Sequence, residues 1–299
     1  MPAHPPWLRF QAYVVGLPKT GSTSMSTLFG NYRSGHEWQL MELVGHALAR
    51  RQGELTDAAF LQATGRRLVP ASLEMDSTTS HCLYTDLLIQ QFPQALFIHT
   101  ARDVISWVSS LLDMMLRKRL ARQIIQLPYS TWESGYLDLI TEGNYDLDPY
   151  HRRDDRSSIA PLMRYWAAHM REMAGLLPAG RSLRVRTRDI DNPQQLQEIA
   201  DFVGIPLSSL RTDLAHTNQA PLRFDRFKAF DSKVLRAVYD KECAGTMAEL
   251  FPDEHLAWLA YSSGAVGERT EVPDWERYQG AVLEWVVDAV KQYGPGAAH

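Results

Sequence analysis

A lysine, two glycines and several hydroxyl side chains lie close together near the start of the chain, in residues 14–28, VVGLPKTGSTSMSTL. A strand-like apolar run meets a Pro/Gly/Ser turn there, and an apolar helical pattern follows, which is how a phosphate-binding loop is built. The Walker form places its lysine directly after the last glycine of the loop. Lys19 instead stands two residues before Gly21, so the stretch predicts an anion site that its lysine reaches from the strand side of the loop.

Backbone groups would hold most of this anion. The N–H groups of the turn are expected to point into it, the following helix would add its positive end, and hydroxyls would donate further hydrogen bonds. The alternative is a plain strand–turn–helix corner in which Ser and Thr only cap the helix. The residues that the first interpretation assigns to the anion are Lys19, Thr20, Gly21, Ser22, Thr23 and Ser24.

A second candidate anion-binding element is the stretch FIHTARDVISWVSSLL, in which a strand pattern leads into a helix. Arg102 stands at the start of the helix pattern and Ser110 eight residues later. Eight residues are just over two helical turns, so both side chains would lie along one edge and could reach the same phosphate. Arginine offers a planar fork of two donors for that contact. The alternative is an ion pair between Arg102 and Asp103 beside an exposed serine.

Composition limits the classes of function. The chain has 299 residues, of which 45% are hydrophobic and 22% charged, which predicts an ordinary globular protein. A formal net charge of −4 gives no global basic field, so we expect no nucleic-acid partner. Cys82 and Cys243 have no partners at metal-ligand spacing, and no run of about 18 apolar residues occurs. We therefore expect a cytoplasmic protein without a secretory signal, a membrane span or a metal site.

Alternating strand and helix patterns organise the chain. Apolar or β-branched runs predict strands over residues 11–16, 72–75, 95–100 and 183–187, and apolar spacings of three and four predict helices over 23–29, 42–51, 57–63, 81–91 and 104–116. Strands separated by helices indicate right-handed crossovers and a parallel sheet covered on both faces. Ligands bind such sheets at the carboxyl ends of the strands, which places residues 17–22, 76–80 and 100–103 on one rim.

Two regions do not follow this alternation. Residues 117–160 are polar, aromatic-rich and turn-rich, and we interpret them as a lid or a substrate-contacting insertion, with a solvated connection as the alternative. Residues 263–299 hold a loop and an amphipathic helical pattern that would pack on the body or on a second subunit of a homodimer. Residues 1–262, including the insertion, are expected to form a single α/β domain.

The two anion-binding elements together resemble those of the sulfotransferase family, which uses 3'-phosphoadenosine 5'-phosphosulfate (PAPS) as its donor. The shared pattern is a strand, PKTGST and a helix, followed by a strand and RDxxSxxxS. The resemblance implies an α/β fold with a P-loop-like parallel β-sheet and helices on both faces. It also implies that the first element binds the 5'-phosphosulfate and that Arg102 and Ser110 bind the 3'-phosphate. Lys19 would stabilise the leaving phosphate of the product, adenosine 3',5'-bisphosphate.

The likeness covers roughly residues 10–116 and 160–252. In the family, a later loop with basic residues closes over the adenosine and the 3'-phosphate. The matching stretch here is HTNQAPLRFDRFKAF, which offers Arg223, Arg226 and Lys228 but has no Lys-Gly or Arg-Lys-Gly triplet. The resemblance therefore implies a third nucleotide contact from Arg223 or Lys228, with a solvated basic loop as the alternative.

Sulfuryl transfer also needs a base for the acceptor hydroxyl. Glu37 is the first candidate, because carbohydrate-type sulfotransferases place a catalytic glutamate at about this point after the loop and helix. His36 competes, since histidine titrates near neutral pH. Asp76 in LEMDSTTSH is another candidate, at the strand end where animal cytosolic sulfotransferases carry a catalytic histidine. An aspartate before Ser-Thr-Thr-Ser also predicts a helix cap. Glu74 and His81 lie nearby, and we expect His81 to be packed.

These patterns predict a sulfotransferase that moves the sulfuryl group of PAPS to a hydroxyl of a small or mid-sized acceptor of the sugar, nucleoside or natural-product type. A glutamate base favours an aliphatic or sugar hydroxyl, because a phenol ionises more readily. Two alternatives remain. A nucleotide-dependent kinase would need a lysine after the loop glycine and acidic residues for magnesium. A non-catalytic nucleotide-binding protein would keep the phosphate elements and lose the base and the lysine.

Overall fold

The structure is a computed structural model that describes residues 8–38, 40–125, 135–142, 156–214, 232–262, 280–284 and 287. Its strands are β1 (Ala12–Val14), β2 (Ser34–His36), β3 (Met75–Ser77), β4 (Leu96–Ala101) and β5 (Ser182–Arg186). Its helices are α1 (Ser22–Leu28), α2 (Leu40–Arg51), α3 (Asp57–Ala71), α4 (Thr85–Gln91), α5 (Val104–Ile125), α6 (Leu137–Thr141), α7 (Arg156–Leu176), α8 (Pro193–Val203), α9 (Ser232–Glu242), α10 (Ala244–Leu250) and α11 (Pro252–Ser262).

The strands form one parallel sheet with the order β2-β3-β1-β4-β5. The registers pair Ala12 with Met75 on one side and with Leu96 on the other, so the carboxyl ends of the three central strands lie at the same edge. β1 and β4 are mostly buried runs, AYV and LFIHTA, as expected for strands that are covered on both faces. The predicted fold class, a parallel α/β sheet flanked by helices, is confirmed.

One face of the sheet packs against α1 and α8. The sequence of α8 favours a helix, because Asn192 caps its start, Pro193 fits the first turn and Gly204 ends it in a left-handed conformation. Its buried residues recur at three- and four-residue spacings and meet those of α1 and the strands. The shared apolar cluster includes Phe10, Val14, Met25, Leu28, Ile98, Val185, Leu196, Ile199 and Val203.

The alternate residues of the same strands face the other side, which is covered by the 3-10 turn Thr79–Leu83, by α4 and by α7. Tyr13 contacts His81 edge-on, with the ring centroids 5.4 Å apart. His99 of β4 contacts His169 of α7 at 5.5 Å between centroids. Among the described residues, neither Nε2 of this histidine pair has a hydrogen-bond partner. Burial lowers the pKa of His99 to about 4 and lowers the pKa of His169 well below its usual range.

The chain divides into two compact units. The first comprises Met1–Arg102, Ser130–Leu139 and Trp166–Gln219 and contains the whole sheet. The second comprises Asp103–Tyr129, Ile140–Tyr165 and Ala220–His299. Within the second unit, α10 packs against α9 and α11, and Arg164 donates to Glu142 at 2.6 Å and to Glu242 at 2.9 Å.

Several elements differ from the sequence expectations. β3 is Met75–Ser77 instead of 72–75, and α3 continues to Ala71 instead of ending at 63. β2 was not predicted, because Ser-Gly-His holds no apolar or β-branched residue. α5 continues to Ile125 instead of ending at 116, since RKRLAR consists of residues that favour helices. The predicted helix over 81–91 is the 3-10 turn followed by α4.

Other predicted features lie outside the described residues. These are residues 126–134 and 143–155 of the insertion, the loop with Arg223, Arg226 and Lys228, and most of residues 263–299. The lid, the homodimer contact and the single-domain boundary stay predictions. In the part of the chain that the structure describes, no helix is both long and apolar enough to cross a membrane.

Gly16, two residues after β1, has no room for a side chain. A Cβ there would lie 2.0 Å from Thr100 Oγ1 and 2.3 Å from the Thr100 carbonyl oxygen, so the backbones would have to separate. We expect Gly16→Ala to lower the free energy of unfolding by about 3 kcal/mol, measured by urea denaturation. Gly175→Ala in α7 is the control, because nothing lies within 4 Å of its added Cβ. Equal stability of the two variants would contradict the close approach.

Candidate active site

The loop between β1 and α1 has two residues in the left-handed region. Lys19 has a φ of 70° and Gly21 a φ of 107°. This conformation is ordinary for glycine but costs a lysine about 1 kcal/mol or more. Gly21 becomes the N-cap of α1, and its carbonyl accepts from the Met25 N–H at 2.9 Å. The N–H groups of residues 22–24 precede this first intrahelical bond and therefore point out of the helix start.

Thr20 serves the loop itself. Its hydroxyl donates to the Leu17 carbonyl at 2.6 Å and therefore accepts from Thr100 Oγ1 at 2.8 Å. Its N–H also donates to the Leu17 carbonyl, at 3.3 Å, and the residue is almost completely buried. This corrects the expectation that the Thr20 N–H faces the anion, because the tight turn requires that hydrogen bond internally.

Side chains at the carboxyl ends of β4 and β5 donate hydrogen bonds to two backbone carbonyls of the loop. The guanidinium of Arg102 donates from Nη1 to the Lys19 carbonyl at 3.2 Å. The hydroxyl of Thr187 lies 2.6 Å from the Thr20 carbonyl and 3.1 Å from the Ala101 carbonyl. These donors fix the two peptide groups that follow Lys19 and Thr20, so they fix the left-handed turn.

The end of β3 contacts the start of α1. The Ser77 hydroxyl donates to the Ser22 carbonyl at 2.6 Å, and Ser22 and Ser24 are both buried. Thr23 instead turns to the end of β2, where its Oγ1 lies 3.0 Å from His36 Nε2. The structure thus brings the predicted loop residues and His36 together on one rim of the sheet.

His36 has a defined tautomer in its neutral form. Its Nδ1 lies 3.0 Å from the Ser77 carbonyl, and a carbonyl can only accept, so Nδ1 carries the hydrogen. Nε2 then accepts from the Thr23 hydroxyl. The same Nε2 lies 3.8 Å from Glu37 Oε1, which places the two candidate bases side by side.

Glu37 is the second strained residue of the rim, with a φ of 56°. Thr79 donates to its carboxylate twice, from Oγ1 to Oε2 at 3.1 Å and from its N–H to Oε1 at 3.4 Å. The side chain is 25% exposed. Burial raises the pKa of the carboxyl above its ordinary value of 4.5, while His36 and Thr79 oppose that rise.

Asp76 is enclosed by the fold. Its Oδ1 accepts from the Thr78 hydroxyl at 2.7 Å, and its Oδ2 lies 3.6 Å from His81 Nε2. His81 is buried and bonds the Val14 carbonyl through Nδ1 at 2.9 Å, in the packed position expected for it. Both oxygens of Asp76 therefore face side chains of the protein.

Glu74 is an anchor for two arginine residues. Its carboxylate accepts from Arg9 at N, Nε and Nη2 and from the Arg33 N–H, all between 2.8 and 3.1 Å. Burial alone would raise the pKa of this carboxyl, but the hydrogen bonds from Arg9 and Arg33 outweigh it, so the pKa is lowered. The guanidinium carbon of Arg9 also lies 4.1 Å from the centroid of the Tyr32 ring.

The remaining candidates fall elsewhere. Trp166 is fully buried, and its Nε1 donates to the Arg102 carbonyl at 2.9 Å. Ser110 lies on α5 in the second unit, and its predicted role stays a prediction. Arg223 and Lys228 lie outside the described residues. Within the described ranges, no three or more His, Cys, Asp or Glu residues are grouped to hold a metal.

Four threonines at strand ends were missed as site residues: Thr78, Thr79, Thr100 and Thr187. Each places a hydroxyl against the loop or against residues 36–38. The signal available in the sequence was their position directly after or at the end of an apolar strand pattern, where ligands of α/β sheets bind. Their partners are distant in sequence, so no local pattern identified them.

The arrangement can bind an anion and accept a proton. The start of α1 supplies N–H donors and its positive end, and Lys19 supplies a cation from the same loop. Glu37 supplies a carboxylate whose raised pKa makes it a stronger base than a free glutamate.

A sequence model described as a sulfotransferase domain matches residues 12–220, which include all strands from β1 to β5. No curated protein matches the chain. Among solved structures, the chain is similar to the sulfotransferase domain from the Synechococcus PCC 7002 olefin synthase, with 13% sequence identity and a TM-score of 0.38. That alignment covers 95% of this chain and 98% of the other.

The Glu74 anchor predicts a pH-dependent loss of stability. Because the pKa of Glu74 is lowered by folding, the ionised carboxylate stabilises the protein above the pH at which an unfolded glutamate titrates. That stabilisation is lost as the pH falls through the lowered pKa. We expect Glu74→Gln to reduce the free energy of unfolding by about 1–3 kcal/mol at neutral pH and much less in acid, measured by urea denaturation. The exposed Glu198→Gln is the control, and a gap that stayed constant with pH would contradict the role.

Proposed function

Because the chain belongs to the sulfotransferase domain family, we propose that it transfers the sulfuryl group of PAPS to a hydroxyl of a small or mid-sized acceptor. The observation that carries this proposal is the pair of strained residues on one rim, Lys19 and Glu37. Among the described residues, only four other than glycine have a positive φ. Such strain persists where the surrounding structure enforces it, and it concentrates at functional sites.

Lys19 acts on the leaving group in this proposal. The new bond joins the acceptor oxygen to sulfur, and the bond that breaks joins sulfur to the oxygen of the 5'-phosphate. Negative charge therefore grows on that phosphate oxygen in the transition state. Lys19 and the N–H groups at the start of α1 stabilise it, and such donors contribute most when they are already in place.

Arg102 has two tasks. Its guanidinium donates from Nη1 to the Lys19 carbonyl. We also assign Arg102 to the 3'-phosphate of the nucleotide, as the family resemblance implies. This couples nucleotide binding to the conformation of Lys19, since the same group contacts both.

Glu37 takes the acceptor proton. Each of its carboxylate oxygens accepts one hydrogen bond from Thr79 and keeps another lone pair for the acceptor hydroxyl. His36 supports the base, because its ring lies against the Glu37 carboxylate. Thr23 and Ser77 occupy the two ring nitrogens of His36, which makes it the less direct base.

The acceptor is proposed to carry a ring. Trp38 follows Glu37 directly and is 43% exposed, and Met41, the second residue of α2, is 45% exposed. Apolar surface beside a base suits the face of a sugar, nucleoside or natural-product ring, which is apolar while its edges are polar. A glutamate base favours an aliphatic hydroxyl over a phenol.

Nucleotide binding tests the donor. We expect calorimetry to give tight binding of adenosine 3',5'-bisphosphate that requires its 3'-phosphate and exceeds the binding of ATP with magnesium. Arg102→Ala should weaken this binding at least about tenfold, whereas Lys19→Ala should lower kcat about 10²- to 10³-fold with a smaller loss of affinity. Lys241→Ala is the control, because this side chain is 78% exposed. Tighter binding of ATP with magnesium would favour a kinase and reject the proposal.

Base catalysis has a pH signature. Glu37 must be ionised to accept the proton, and its pKa is raised by burial, so kcat should fall on the acid side at a higher pH than a free glutamate would cause. Glu37→Gln should lower kcat about 10²- to 10⁴-fold without changing nucleotide affinity. His36→Gln should keep most of the activity and move the acid limb to higher pH, because His36 opposes the rise in the pKa of Glu37. An unchanged kcat in Glu37→Gln would transfer the role of the base to His36.

A further inference from the structure

Residues 36–38 and 77–79 are joined one to one. The His36 ring donates to the Ser77 carbonyl at 3.0 Å, and the Trp38 N–H donates to Thr78 Oγ1 at 3.1 Å. Thr79 donates to the Glu37 carboxylate through its hydroxyl and its N–H. Every residue of His-Glu-Trp thus has its own partner in Ser-Thr-Thr.

The direction of each hydrogen bond is fixed. The Thr78 hydroxyl donates to Asp76 Oδ1 at 2.7 Å, because a carboxylate can only accept when it is ionised. The Thr78 oxygen is therefore left to accept from the Trp38 N–H. Asp76 itself is 2% exposed, so a buried side chain orients the hydroxyl that holds the peptide after Glu37.

The parallel register of β2 and β3 creates this pairing. Ser34, Gly35 and His36 lie opposite Met75, Asp76 and Ser77, and both strands end together. The residues that follow them leave the sheet side by side, with Glu37 and Trp38 against Thr78 and Thr79. Because β2 is an edge strand, residues 36–38 depend on these contacts, together with the one between Thr23 and His36, for their place on the rim.

The contacts also offset local strain. The left-handed backbone of Glu37 is unfavourable for a residue other than glycine, and hydrogen bonds made inside the fold offset that cost. The bond from the Trp38 N–H to Thr78 fixes the peptide that follows Glu37, and the bond from the His36 ring to Ser77 fixes the side chain that precedes it. The bonds from Thr79 select one direction for the Glu37 carboxylate.

We propose that Thr78 and Thr79 are positioning residues that hold Glu37 for catalysis, with Asp76 orienting Thr78. The proposal rests on Glu37 being the base. It assigns to Asp76 a positioning task instead of a catalytic one, since its carboxylate acts through Thr78 on the backbone of residues 37 and 38. Thr79 acts on the carboxylate directly and favours its ionised form.

Titration of Glu37 tests the proposal without any turnover. In protein labelled with ¹³C-carboxyl glutamate, the Glu37 resonance is assigned by its loss in Glu37→Gln. Thr79→Val keeps the shape of the side chain and removes the hydroxyl donor that lowers the pKa of Glu37, so Glu37 should titrate at a higher pH than in the wild type. Thr79→Ser retains the donor and should titrate like the wild type. Unchanged titration in folded Thr79→Val would overturn the proposal.

Kinetics separate the two threonines. Thr79→Val should lower kcat about tenfold at neutral pH and move its acid limb to higher pH, with the affinity for adenosine 3',5'-bisphosphate unchanged. Thr78→Val should lower kcat by a similar factor and leave the acid limb in place, because it releases only the backbone. Equal losses of kcat and nucleotide affinity in both variants would show a merely structural role. If Thr79→Val does not fold, wild-type kcat in Thr78→Val overturns the proposal.

Failure of the proposed function is recognised separately. If the wild type does not bind adenosine 3',5'-bisphosphate, the donor assignment fails, while the ¹³C titration still reports whether Thr79 controls Glu37. If the nucleotide binds and Glu37→Gln keeps full activity, the base assignment fails and the positioning proposal fails with it.

Discussion

The left-handed turn at Lys19 is the constraint around which the rim is built. It bends the chain from β1 into α1 within a few residues, and it is unfavourable for a side chain other than glycine. The carbonyls of Lys19 and Thr20 accept hydrogen bonds from Arg102 after β4 and Thr187 just after β5. Parallel strands that end at one edge bring these donors together, so the sheet topology supports the turn.

Glu37, the second residue with a left-handed backbone on this rim, is supported by the other half of the sheet. Glu37 takes its support from the segment after β3, whereas Lys19 takes its support from β4 and β5. The backbone of Lys19 and the carboxylate of Glu37 therefore have independent supports within the same unit. Groups that are fixed before a ligand arrives contribute most to a transition state.

The sequence pattern was sufficient for four of the five strands and the first loop, because buried parallel strands are apolar runs and glycine marks the turn. β2 was missed, since its Ser-Gly-His strand is held by pairing with β3 and not by its own residues. The contact of Arg102 with the Lys19 carbonyl joins residues 83 positions apart, which no local pattern encodes. Glu37 was proposed as the base from the family resemblance. Its contact with Thr79 depends on the register of β2 and β3, which the sequence pattern did not predict.

The buried pair of histidines, His99 and His169, limits the stability of the protein at low pH. His99 and His169 are held neutral by burial, whereas in the unfolded chain each would take up a proton near its ordinary value of 6.5. As the pH falls below that value, the unfolded state binds more protons than the folded one, so acid withdraws stability from the core. The stability of this fold in acid therefore depends partly on one histidine in β4 and one in α7, neither of which takes part in the proposed reaction.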